Sequence, residues 1–254
     1  MKVDGKVAVV TGGAGGIGAA LARALADHGA HVITTDLDAP AVDIVADVSL
    51  TADIQRVVDT AEERFGPVDI FCANAGVPGG GGLETPDTAW DRAIDVNIMA
   101  HVRAARLLVP GWLERGEGYF VSTASAAGLL TQVGSAPYSV TKHGAVAFSE
   151  WLSVTYGDRG IGVSCLCPMG VNTRMLNDGL ESAERDARTA ASAVAAAGDI
   201  LEPDVVAERV LEAIASGTFL VLPHPEVLDF FQRKARDYDR WLRGMRRLQA
   251  SATA

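Results

Sequence analysis

The sequence is poor in several features that would set its class at once. Its 254 residues include three cysteines, Cys72, Cys165 and Cys167, each inside an apolar run. An odd count in strand-like segments argues against a disulfide framework. Cys165 and Cys167 are two apart, so in a strand both face one side. No second ligand pair accompanies them, which argues against zinc, and they are read as packing thiols. No uninterrupted apolar stretch reaches the length of a membrane span. The opening residues, Met1-Lys2-Val3-Asp4-Gly5-Lys6, are polar and run straight into an apolar strand, without the apolar core and cleavage site of a signal peptide. The expectation is a cytoplasmic protein. Positive charge is also short: the net charge of −10 argues against a nucleic-acid partner. No repeat, linker or composition break divides the chain.

What is present is a globular balance. Hydrophobic residues make up 48% and charged residues 21%, which excludes a disordered chain. The length suits one α/β domain. Short β-rich runs at residues 7–10, 31–35, about 43–46, 68–72, 119–121, 161–166 and 219–222 alternate with helical patterns at about 16–29, 50–65, 88–110 and 137–157. Near-continuous apolar strands separated by helices predict a parallel, doubly wound Rossmann-type sheet of about seven strands, covered by helices on both faces.

Two places carry chemistry. The first is Thr11-Gly12-Gly13-Ala14-Gly15-Gly16-Ile17-Gly18, between the first strand and the first helix. Glycines allow a tight turn and close approach to a pyrophosphate, and the helix N-terminus offers free N–H groups. Two registers fit, Gly13/Gly15/Gly18 and Gly12/Gly16/Gly18. Asp36, followed by Leu37, ends the second strand, where a carboxylate accepts hydrogen bonds from ribose hydroxyls and repels a 2′-phosphate. No Arg or Lys stands in the loop or just after Asp36, so NAD is expected over NADP.

The second place is Tyr138 and Lys142, four apart on a predicted helix and so on one face. A phenol is a poor base at neutral pH. At about 6 Å and an effective dielectric of about 20, a lysine ammonium favours the phenolate by about 3 kcal/mol, roughly two pKa units. The expectation is a Tyr138 brought down toward working pH for acid–base catalysis.

With these motifs in order, residues 6–173 resemble the short-chain dehydrogenase/reductase family. The glycine motif is matched by Thr11-Gly12 and Gly16-Ile17-Gly18, the adenine-side acid by Asp47-Val48, and the N-A-G motif by Asn74-Ala75-Gly76. The helix asparagine is matched by Asn97 and the catalytic serine by Ser125, thirteen residues before Tyr138. The resemblance implies an oxidoreductase acting on an alcohol or ketone without a metal. In it Tyr138 exchanges the proton, Ser125 orients the substrate oxygen, Lys142 tunes Tyr138 and binds ribose, and Asn97 holds a relay water. It also implies cofactor contacts from Pro168, Val171 and Thr173, and a homotetramer or homodimer built on the helices bearing Asn97 and Tyr138. One departure is Met169, where the family has Gly after Pro.

The remaining segments bear on substrate and partners. The glycine run at residues 78–82 is expected to be mobile, and residues 174–200 to form a substrate lid, with Met175, Leu176 and Leu180 either lining a pocket or packing the lid down. His143 is expected to be structural. At residues 225–249, Val227, Phe231, Tyr238, Trp241, Met245 and Leu248 approximate one helical stripe. Arg233, Lys234, Arg236, Arg240, Arg243, Arg246 and Arg247 form its basic remainder. Such a stripe reads as a packed tail or subunit contact, with a membrane surface as the other reading. An NAD-binding scaffold without chemistry is the alternative to an enzyme.

Overall fold

The computed structural model describes residues 1–37, 40, 42–79 and 81–252. Seven strands, β1 (Val7–Thr11), β2 (His31–Asp36), β3 (Ile44–Val45), β4 (Ile70–Ala73), β5 (Gly118–Thr123), β6 (Ile161–Leu166) and β7 (Leu220–Val221), form one sheet. Its order is β3-β2-β1-β4-β5-β6-β7, and every pairing is parallel. The order reverses between β1 and β4, which places a crevice at the carboxyl ends of those two strands.

The alternation along each strand explains why both faces are covered. Val7 and Val9 of β1 and Phe71 of β4 pack with Ile54 and Val57 of α2 (Thr51–Phe65) and Leu108 and Trp112 of α4 (Ala100–Arg115). Ala8 and Val10, with Ile70 and Cys72, face the other way onto Leu21 and Leu25 of α1 (Gly16–Asp27) and Val206, Val210 and Ile214 of α9 (Pro203–Ser216). A third cluster joins Leu129 and Leu130 of α5 (Ala127–Leu130), Ala145 and Val146 of α6 (Ala136–Tyr156), Cys165, Cys167 and Val227. The two cysteines do share a side, with Sγ atoms 3.8 Å apart, and all three thiols are free and buried.

Three expectations are corrected. The helix expected over 88–110 is α3 (Asp87–Ile94), a π-helical turn at Asp95–Met99 and then α4, which runs through Pro110 to Arg115. An internal proline costs about 3 kcal/mol. Trp112, buried and donating its indole N–H to Val68 O at 2.7 Å, offsets that cost and carries the helix on to the left-handed Gly116. The C-terminal stripe is two helices, α10 (Glu226–Arg236) and α11 (Tyr238–Ala252), broken at the extended Asp237. Its basic side is not uniform: Lys234 is buried and donates to Leu129 O at 2.6 Å, capping α5. Finally, the glycine run is tied down where it is described. Gly81 N–H donates to Gly134 O, Ala136 N–H donates to Gly81 O, and Ser135 Oγ donates to Gly79 O. Gly80 lies outside the described residues. Among those residues, no helix is long and apolar enough to cross a membrane.

Candidate active site

The glycine loop leaves β1 at the crevice. Gly12 has φ +68, and a Cβ there would lie 2.9 Å from both the Ala75 Cα and the Asn74 Nδ2. At Gly18 a Cβ would run into the Gly12 carbonyl. A side chain at Gly15 would meet nothing within 4 Å. Gly12, Gly16 and Gly18 are thus all constrained, with Gly16 lying against Thr173, and Gly13 is crowded by Thr34, whereas Gly15 is open. Gly15 is the N-cap of α1. It offers no side-chain cap, and the first turn holds no acid, so the N–H groups there, Ile17 among them, face an end that favours an anion.

Asp36 bends back over this loop. Its carboxylate accepts from Ala14 N–H at 3.2 Å and from Leu37 N–H at 2.7 Å. Among the described residues no cation pairs with it. Asp38, Ala39 and Ala41, just beyond, lie outside the described residues. Asp47 is differently placed: both its oxygens accept from Arg92, at 2.9 and 3.0 Å, and one accepts from Ser49 N–H. Partial burial raises its pKa, but Ser49 and Arg92 outweigh that and hold it below the usual carboxylate value. Val48 and Val171 are buried among core side chains behind the crevice.

The next wall is built by Asn74-Ala75-Gly76 after β4. Thr11 Oγ1 accepts from the N–H groups of Asn74 and Ala75 at 2.9 and 3.0 Å. Asn74 Nδ2 donates to Thr11 O at 3.0 Å, and its Oδ1 accepts from Thr123 Oγ1 at 3.1 Å. One side chain thus locks the ends of β1, β4 and β5. Thr11, read only as part of the glycine motif, and Thr123 take a role that the motifs do not reveal, because their work is to bond backbone and side chains of neighbouring strands.

Asn97 sits at the centre of the π-helical turn and is fully buried. Its Oδ1 accepts from Val77 N–H at 2.9 Å, and its Nδ2 donates to Val77 O and to Thr141 Oγ1, each at 3.0 Å. It therefore fastens the segment after Gly76 to α6. A Cβ at Gly76 would lie 3.3 Å from Asn97 Oδ1 and 3.5 Å from Lys142 Nζ, so these groups crowd one small space.

Helical spacing on α6 brings Tyr138 and Lys142 together as expected, with the Lys142 Nζ 5.5 Å from the Tyr138 ring centroid. Ser125 follows β5; its hydroxyl accepts from Ala127 N–H at 3.1 Å and donates to Pro168 O at 3.5 Å, and it lies near enough to Tyr138 to act on the phenol's pKa. The electrostatics reverse the expectation. Burial raises the Tyr138 phenol above its ordinary value, and the nearby Ser125 hydroxyl is what pulls it down. Lys142 cannot overcome this, because burial lowers its own pKa to about 8 and its Nζ donates to Thr123 O at 2.8 Å rather than to the phenol. Desolvation of the phenolate outweighs an ammonium held over the ring face. His101, buried behind Ser122, is kept neutral: burial, then the Lys142 charge, push it down to about 3. His143 bonds Ser139 O within its own helix, a structural role.

The last wall follows β6. Pro168 O accepts from Ala126 N–H at 2.8 Å, next to Ser125. Thr173 N-caps α7 (Arg174–Glu181) by accepting from Leu176 N–H. Met169 lies with its methyl against Gly198, at the end of α8 (Arg185–Ala197). In α7, Leu176 and Leu180 are half-buried and Met175 is exposed, while α8 rests on the 131–135 loop through Ala190 and Asp186 against Gly134. A cleft of about 460 Å³ opens between Gly15, Gly16 and Asn172–Arg174. It lies at the glycine-loop end, and Ser125 and Tyr138 are not on its lining. The arrangement can hold a diphosphate at α1 and exchange a proton at Tyr138.

Comparison with known proteins agrees with this geometry. The family model for short chain dehydrogenase matches residues 6–184. The 1-deoxy-11-beta-hydroxypentalenate dehydrogenase of Streptomyces avermitilis is 32% identical over 245 residues, covering 89% of this chain and 87% of that protein. The D-beta-hydroxybutyrate dehydrogenase of Cupriavidus necator is 31% identical, covering 71% and 76%. A short chain dehydrogenase/reductase from Burkholderia phymatum, solved in complex with NAD, superposes with a TM-score of 0.84 at 31% identity, over 94% of this chain and 96% of that one.

Proposed function

Because the chain belongs to the short-chain dehydrogenase/reductase family, we propose that it is an oxidoreductase that transfers a hydride between NAD(H) and a secondary alcohol or ketone, with Tyr138 as the acid–base residue. The observation that carries this is the meeting of Ser125, Tyr138 and Lys142 between β5 and α6, with Lys142 bonded to Thr123 O and lying beside Gly76.

The residues present fit the cofactor. Gly12, Gly16 and Gly18 pack so closely against Ala75, Thr173 and the Gly12 carbonyl that no side chain fits, which keeps the loop bare before the uncapped N-terminus of α1. Gly15, Ile17, Asn74, Ala75 and Gly76 would complete the diphosphate wall, and Asp36 and Leu37 would meet the adenosine ribose. Asp47 and Val48 would sit on the adenine side, Lys142 and Tyr138 at the second ribose, and Pro168, Val171 and Thr173 at the nicotinamide. NAD bound there supplies the acceptor for the substrate hydride. In alcohol oxidation Tyr138 Oη takes the hydroxyl proton as the carbonyl forms. In reduction it returns a proton to the new alkoxide. Ser125 Oγ donates to the reacting oxygen and stabilises its developing charge. Asn97 fixes the floor beneath Lys142 from which a relay water would be held.

Asp36 favours NAD, since a 2′-phosphate would meet an unpaired carboxylate. Residues 174–200 act as the substrate lid. Trp151 and Val154, 52% and 88% exposed on α6, support assembly of copies through that helix. The dehydrogenases named above act, by their names, on hydroxylated compounds, and this supports the alcohol/ketone reading. The test is a panel of secondary alcohols with NAD and with NADP, followed by the absorbance of the reduced cofactor. Turnover with NAD is expected. A clear NADP preference overturns the reading of Asp36, and binding of NAD without turnover of any alcohol or ketone favours a scaffold.

A further inference from the structure

Pairing between β6 and β7 ends where Cys167 N–H donates to Val221 O at 2.9 Å. Beyond that point the nicotinamide-side segment leaves β7; Leu201 pairs with it on one side, and Met169 N–H and Gly170 O also meet one side chain, His224, between β7 and α10 and 1% exposed. Its Nδ1 faces Met169 N–H at 3.1 Å, and its Nε2 faces Gly170 O at 3.0 Å. An amide N–H can only donate and a carbonyl can only accept, so Nδ1 must carry the lone pair and Nε2 the proton. The neutral ring in that one tautomer satisfies both groups, and an imidazolium would set two N–H groups against each other.

The surroundings make this a built clamp. Pro223 and Pro225 flank His224, fixing its backbone and adding no competing donor. Gly170 O also accepts from Leu201 N–H at 2.9 Å, which ties the same point to the end of the lid. On the opposite side Pro168 O is held by Ala126 N–H, beside Ser125. The segment 168–170 is thus stretched between the serine loop and His224. We propose that His224 is a positioning residue that holds this segment in the shape that receives the nicotinamide end of the cofactor, a role that rests on the NAD reading above.

The test measures binding of NAD and of ADP-ribose, which lacks the nicotinamide, by calorimetry to wild type, His224→Ala and His224→Gln. Loss of two hydrogen bonds near the nicotinamide is expected to weaken NAD roughly tenfold in His224→Ala. ADP-ribose should change by no more than about twofold, which lies within the reach of a single surface effect. Glutamine, with one acceptor and one donor on its amide, should recover most of the NAD affinity. His224→Leu fills the space without polar atoms and carries the same comparison if the alanine variant does not fold. Equal weakening of both ligands, no weakening of either, or a glutamine variant no better than alanine overturns the positioning role. Failure of wild type to bind NAD or ADP-ribose overturns the cofactor reading itself, and the His224 role with it.

Discussion

The Lys142 ammonium lies 5.5 Å from the centroid of the Tyr138 ring. Its hydrogen bond goes instead to Thr123 O, at 2.8 Å. The lysine therefore faces the phenol without bonding to its oxygen, and the group that lowers the Tyr138 pKa is Ser125.

Ser125→Ala accordingly raises the Tyr138 pKa. Alcohol oxidation needs the phenolate, so the alkaline rise of kcat/KM moves to higher pH in the variant. Near neutral pH the rate falls by about ten- to a hundredfold, the value of a hydrogen bond to a charged group. Profiles of kcat/KM against pH for the two proteins check this. A limb that stays in place or moves down contradicts it.

Lys142 predicts a pH-dependent stability. Its folded pKa, about 8, lies below the ordinary value of 10.5. The unfolded chain thus binds more protons between those values, and folding is penalised most below pH 8. As pH rises from 8 toward 10.5 the penalty fades. Compared with Lys142→Met, wild type should gain on the order of 3 kcal/mol over that window. Urea midpoints of both proteins across the window are the measurement, and a difference that is flat with pH rejects the buried, charge-disfavoured lysine.

The glycine register separates two neighbouring positions. Gly18→Ala drives a methyl into the Gly12 carbonyl and toward Asn74, and overpacking of this kind costs about 1–3 kcal/mol. Gly15→Ala meets open space and should stay within about 0.5 kcal/mol of wild type. Denaturant melts of the two variants decide it. Equal losses would mean that the Gly13/Gly15/Gly18 register matters as much.

The architecture was legible because most strands are short, apolar and followed by a helix. The tight turn after β1 was legible because Gly12, Gly16 and Gly18 act through backbone freedom, which residue type reveals. Ser125, Tyr138 and Lys142 were legible by spacing. The rest depended on distances that no local pattern carries. Burial of the Tyr138 phenol depends on the density of side chains around it, so its pKa direction was misjudged. Proline usually ends a helix, and at Pro110 the burial of Trp112 overrode it. His224 is a single histidine between prolines, and its partners lie 54 and 55 residues away. The buried Lys234 was likewise set by docking onto α5, and the Asp237 break by its carboxylate accepting from Arg240 N–H at the start of α11, not by the stripe.

The central claim is that Tyr138 exchanges the substrate proton. Its most direct test is Tyr138→Phe, assayed for NAD affinity by calorimetry and for turnover by absorbance of the reduced cofactor. The account predicts an NAD affinity within about twofold of wild type and a turnover lower by about a thousandfold. Turnover equal to wild type would contradict it.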